Sequence, residues 1–190
     1  MIKKHLAPRR NQGFSLFEIM IVIAIIGILA SQSISVYQSN LRAADAHLLT
    51  RELAAWLSEI AMVPEQLNQN CTVTLYPSTS LNPGASMATV TPTSCAAEST
   101  LLVPGHQRLL SYQLGATATS WTYTRRGALS TDSTNIMSTN TDLIIRVSVN
   151  GESPLRCLKV SGTLGLIRFG RNDSSGDVSN TTSCSNWQRT

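Results

Sequence analysis

Acidic residues are absent from the first 13 positions, and charge of either sign is absent from Ile19 to Leu41, a run of 23 residues. Histidine is scarce: His5, His47 and His106 are the three in the chain, each isolated in sequence. A lone structural role suits such histidines better than a ligand set or a proton-transfer pair. The catalytic signatures G-x-S-x-G, G-x-x-x-x-G-K-[ST] and H-E-x-x-H do not occur. The four cysteines contain no C-x-x-C and no Cys/His zinc spacing. These absences argue against an enzyme: no catalytic residue, metal site or cofactor is expected.

Charged residues are few, 14% of 190, and unevenly placed. The formal net charge of +4 sits in Lys3, Lys4, Arg9 and Arg10, and the remainder is neutral, with eleven basic and eleven acidic residues. That remainder is itself split. Residues 14–98 hold Arg42 and Arg51 against six acids, whereas residues 99–190 hold nine basic residues against five acids. A hydrophobic fraction of 42% is enough for one modest core.

The uncharged run dominates the first quarter of the chain. Ile19 to Ala30, IMIVIAIIGILA, is almost wholly aliphatic. As a helix, at about 1.5 Å per residue, Ile19 to Leu41 would reach roughly 35 Å, enough to cross a hydrocarbon layer of about 30 Å. The four basic residues ahead of it belong on the cytoplasmic side, so everything after Leu41 is exported. A cleaved secretory signal has the same outline, but the small-x-small site behind the apolar core, Ser31-Gln32-Ser33, is weak. Glu18 is the second objection: a carboxylate at the start of the run costs about 2.5 to 3.5 kcal/mol in lipid, so it is expected to have a cationic partner.

The stretch from Gly13-Phe14-Ser15-Leu16-Phe17-Glu18 through Ala30 resembles the prepilin signature of type IV pilins and type II secretion pseudopilins. The resemblance implies that a prepilin peptidase cuts after Gly13 and methylates Phe14, leaving the apolar helix in the mature chain. It implies that Glu18 pairs with the N-terminal amine of a neighbouring subunit's Phe14 during assembly. The other implied partners are further pilin subunits, the membrane and an inner-membrane assembly platform. Ser35 stands where major pilins commonly carry a proline, and Tyr37 matches the family's frequent tyrosine.

Past the membrane run the helical period continues, with Leu41, Leu48, Leu49, Leu53, Trp56, Leu57 and Ile60 on one stripe. Val63-Pro64 is expected to end the helix, giving one helix from about Phe14 to Met62. Short β-like runs follow: Thr72 to Tyr76, Gln107 to Leu114, Trp121 to Arg126, Leu143 to Val149, Leu155 to Ser161 and Leu164 to Phe169. Pro77 to Ser94, Leu129 to Asn140 and Asn172 to Thr182 read as loops, and Ser161-Gly162-Thr163 as a hairpin turn. The expected fold is α+β, a long N-terminal hydrophobic helix on a small antiparallel sheet. Its expected divisions are a leader (1–13), a transmembrane assembly helix (14–41) and an extracytoplasmic head (42–190).

Cys71, Cys95, Cys157 and Cys184 all follow the membrane run, where an oxidising compartment favours two disulfides. Three pairings are open. Cys71 with Cys95 and Cys157 with Cys184 is favoured, because each closes a weakly structured local loop, worth roughly 3 to 4 kcal/mol in a chain-entropy model.

Cys157 to Arg168, CLKVSGTLGLIR, is similar to the closing hairpin of the GspH/FimT family of minor pilins and pseudopilins, and Leu48 to Ala61 to its second helix segment. Some members end that hairpin in a DNA-contacting Gly-Arg-x-Arg; here Gly165 and Arg168 match, and Leu166 occupies the first arginine position. The expected function is therefore a minor type IV pilin in a pilus or its priming complex. The alternatives are a type II secretion pseudopilin and a DNA-binding pilin in DNA uptake, the last with Arg125, Arg126, Arg168 and Arg171 as contacts. Inner membrane, single-pass with the head in the periplasm, then pilus or pseudopilus at the cell surface, is the expected itinerary.

Overall fold

The computed structural model describes residues 15–105, 111–126, 129–130, 142–162 and 165–189. The chain divides into two compact units, residues 1–38 and 39–190.

Helix α1 covers Leu16–Leu67, 52 residues, and so overruns the stop expected at Val63-Pro64. Pro64 lies in the last turn, where its missing N–H removes a single helical bond. The end is set four residues later. Asn68 takes a left-handed conformation (φ 50°), and the Gln69 N–H reaches back to the Pro64 carbonyl at 3.2 Å. This is the bond pattern of a Schellman cap with asparagine in the usual glycine position.

In the first unit the helix carries its apolar side chains uncovered: Leu16, Phe17, Met20, Ile25 and Leu29 are all at least half exposed. Ser31 and Ser33 turn their hydroxyls onto the Ile28 and Leu29 carbonyls, so they present no unsatisfied donor to an apolar surrounding. Helix geometry continues through Ser35.

In the second unit the helix buries Ala46, Leu49, Leu53, Leu57 and Ile60, spaced three and four residues apart. Leu48, expected on this stripe, is 45% exposed. Nine residues before Leu57, it sits roughly half a turn away from it around the axis.

The strands are β1 (Cys71–Leu75), β2 (Ser78–Leu81), β3 (Ser86–Thr91), β4 (Thr100–Leu102), β5 (Tyr112–Ala116), β6 (Ser120–Tyr123), β7 (Leu129–Ser130), β8 (Leu143–Val149), β9 (Glu152–Val160), β10 (Ile167–Asn172) and β11 (Ser185–Arg189). The class is α+β with antiparallel pairing, as expected, but the strands form two sheets: β4-β3-β1-β6-β7 and β11-β10-β9-β8-β5-β2. Trp121, Tyr112, Tyr123, Val73, Leu143 and Ile145 meet the helix residues in the core.

Two expected loops need correction. Pro77 to Ser94 contains β2 and β3, because Met87, Ala88 and Val90 face the core while Thr89 and Thr91 face outward. The Ser/Thr content that suggested a loop is the wet face of a strand. Leu129-Ser130 pairs with Thr122 and Tyr123, and the rest of Leu129 to Asn140 lies outside the described residues. Strands β4 and β11 were not anticipated. Of Gln107 to Leu114, positions 107–110 lie outside the described residues. So do Thr163 and Leu164 in the hairpin turn, but its strands pair as expected, with Ile167 opposite Val160.

Residues 173–184 form a polar strap over the outer face of the six-stranded sheet. Gly115 admits it closely: a Cβ there would lie 2.0 Å from the Val178 carbonyl oxygen. Cys157–Cys184 ties its end to β9, and Cys71–Cys95 joins β1 to a 3-10 turn at Thr93–Cys95.

Candidate functional site

The processing residues Gly13 and Phe14 lie outside the described residues. The helix begins immediately after them. The Ser15 carbonyl accepts from the Glu18 and Ile19 N–H groups at 3.0 and 3.2 Å, which makes Ser15 the N-cap and Glu18 the third helical residue. Ser-x-x-Glu is the spacing of a capping box, a signal legible in the sequence. Glu18 therefore stands in the first turn, where the free N–H groups and the dipole favour a negative charge. Behind it runs a helix with a mean hydropathy of 2.4 over its most apolar 18 residues, none of them buried within the chain, long and apolar enough to cross a membrane.

The four arginines expected as DNA contacts lie on or beside two different sheets. Arg125 follows β6 of the five-stranded sheet, its guanidinium 3.4 Å from the Asn68 side-chain oxygen at the end of α1, and Arg126 is beside it. Arg168 and Arg171 are on β10 of the other sheet, three residues apart and hence on opposite faces. Register sets Arg168 opposite Lys159 and Arg171 opposite Arg156. Arg156 and Arg171 share one carboxylate, Asp173, at 3.1 and 3.2 Å, and Lys159 pairs with Asp142.

Arg146 departs furthest from a surface role. It is 3% exposed. Its guanidinium donates to the Thr182 carbonyl at 2.9 Å, and to the carbonyl and side-chain oxygen of Asn180, both at 3.3 Å. Burial lowers its pKa and the Asp177 charge opposes that shift. The sequence signal was the basic residue inside the apolar run of β8, where alternation puts it on the face under the strap.

His47, on α1, has its pKa lowered by partial burial first, then by Arg51 and Arg156. His5 and His106 lie outside the described residues. Among the described residues no His, Cys, Asp and Glu side chains gather in a group able to hold a metal.

A family model described as the prokaryotic N-terminal methylation motif matches residues 8–31. The motif supports a subunit of the type IV pilin and pseudopilin type, a structural class and not an enzymatic one. It implies processing by a prepilin peptidase and assembly with other pilin-type subunits, and the exposed apolar helix suggests membrane anchoring. No curated protein and no solved structure matches the chain.

Proposed function

We propose that the chain is a minor type IV pilin, a structural subunit drawn into a pilus or its priming complex after cleavage at Gly13-Phe14 and N-methylation of Phe14. The observation that carries this is the methylation motif leading directly into an uncovered apolar helix, followed by a disulfide-bonded α+β head. Before assembly the helix anchors the chain in the inner membrane with residues 42–190 in the periplasm. In the fibre the helices of neighbouring subunits replace lipid, and each Glu18 meets the cationic Phe14 amine of a neighbour. N-methylation leaves that amine basic, so a charge that would cost about 2.5 to 3.5 kcal/mol in lipid is answered within the assembly.

The same chemistry would serve a type II secretion pseudopilin. Genomic neighbours separate the two: pilus biogenesis genes accompany a minor pilin, and a secretin-linked secretion operon a pseudopilin. The spread of Arg125, Arg126, Arg168 and Arg171 over two sheets supports a structural role over DNA uptake. Intact-mass analysis of the membrane and sheared-pilus fractions tests the proposal: the mature chain should begin with N-methylated Phe14, and a start near Ser33 would overturn it.

A further inference from the structure

Helix α1 and the outer strands β10 and β11 leave a groove wholly within the second unit. It consists of two adjoining cavities of about 160 and 620 Å³ that share His47, Phe169 and Gln188. On the helix side, His47, Arg51, Ala55 and Ser58 are spaced by four, four and three residues, and so fall on one face about 16 Å long. On the sheet side lies β11, the edge strand of the six-stranded sheet.

The lining changes character along the groove. One end is basic and polar, with His47, Arg156, Arg171 and Asn186. The other has an apolar floor of Ala54, Ala55 and Phe169 beside Arg51. Among the described residues no acid lines either cavity, and the one carboxylate bonded to the arginines there, Asp173, is shared by Arg156 and Arg171. Three guanidinium groups thus face one counter-charge. Partial burial is the first cause of the lowered pKa of His47, and the nearby charges of Arg51 and Arg156 add to it.

We propose that this groove binds an extended, acidic polypeptide segment, with a Glu or Asp carboxylate at the His47, Arg156 and Arg171 end and apolar side chains over Ala54, Ala55 and Phe169. At about 3.3 Å per residue its length takes about five residues of extended chain. A mixed floor of alanines and one aromatic suits alternating side chains, whereas a duplex phosphate backbone would need cations continued outside it. Arg168, Arg125 and Arg126 do not continue them, since they lie on the other face and on the other sheet. The proposal stands apart from the fibre reading, because binding is read on the isolated chain.

The test uses the full chain in uncharged detergent micelles and fluorescence anisotropy. The probe is a tagged peptide of about five residues alternating valine and glutamate, compared with one carrying glutamine in place of glutamate. At about 50 mM salt the glutamate peptide should bind at least about tenfold more tightly, and its advantage should shrink as salt rises. Arg51→Glu, at an exposed position, should abolish that advantage. Ala55→Trp, also exposed, should fill the apolar half and weaken both peptides about tenfold. Arg125→Glu, on the other sheet, should change nothing. Bound peptide should also raise the His47 midpoint in an NMR titration, since a new carboxylate offsets the arginine field. Equal affinity for the two peptides, or wild-type binding by both groove variants, overturns the proposal. So does displacement by millimolar inorganic phosphate, which marks a simple anion site, or duplex DNA binding lost in Arg51→Glu without peptide binding.

Discussion

At the scale of single residues, Arg146 shows how far a side chain's role departs from its charge. In the sequence it is one of nine basic residues in the far half; in the fold it holds residues 173–184 against the sheet. Arg146→Met keeps the aliphatic stem and removes every donor, and should lower stability by about 2 kcal/mol in urea unfolding, with the strap opening first to protease. Asp177 organises the same segment. Its carboxylate accepts from the Ser179 N–H at 2.9 Å, the Ser179 hydroxyl at 2.6 Å and the Thr182 hydroxyl at 3.0 Å. The Ser179 bonds, side chain and backbone, are the main cause that holds its pKa below the ordinary carboxylate value, with Thr182 adding to them. Because the folded value is depressed, the stabilisation is present above the unfolded pKa of about 3.9 and is lost as pH falls through the lower folded value. The Ser179 amide resonance should therefore titrate with a midpoint below about 3.9, and Asp177→Asn should remove that step. Among the candidate site residues, the cysteine pairing followed from loop length, whereas the separation of Arg125 and Arg126 from Arg168 and Arg171 needed the strand order of the two sheets.

At the scale of elements, each of the two disulfides ties a strand to a segment of irregular chain. Cys157 and Cys184 are 27 positions apart and enclose β10 and the strap; their Cα atoms are 6.4 Å apart. Replacing both by alanine should cost about 3 to 4 kcal/mol in the chain-entropy model. Denaturant unfolding measures the loss, and limited proteolysis should place the new cleavage between Asn172 and Thr182. Long, strongly patterned elements were legible: α1, the β8 span Leu143–Val149 and the β9–β10 hairpin. Elements were missed where a local signal competed with a tertiary one. Pro64 suggested a stop that the Asn68 cap placed later, and the threonines of β3 suggested a loop although Val90 faces Val73 across a sheet.

At the scale of the whole molecule, the described apolar residues of the first unit are exposed within the chain, a surface suited to lipid or to neighbouring subunits. Glu18→Ala removes the one charge near the start of that span. Membrane insertion should be unchanged or easier, while incorporation into sheared fibres should fall at least about tenfold, read by immunoblot of the sheared and membrane fractions. Wild-type incorporation would sink the pairing role. The primary structure by itself determined the leader-like charge pattern, the apolar helix and the methylation motif, because each is a local property of consecutive residues. Only the tertiary structure decided that the strands form two sheets, that Arg146 is buried under the strap and that Arg51, Arg156 and Arg171 border one groove. Those arrangements depend on which strands pair and in what register, and a shift of one residue would turn every side chain to the opposite face.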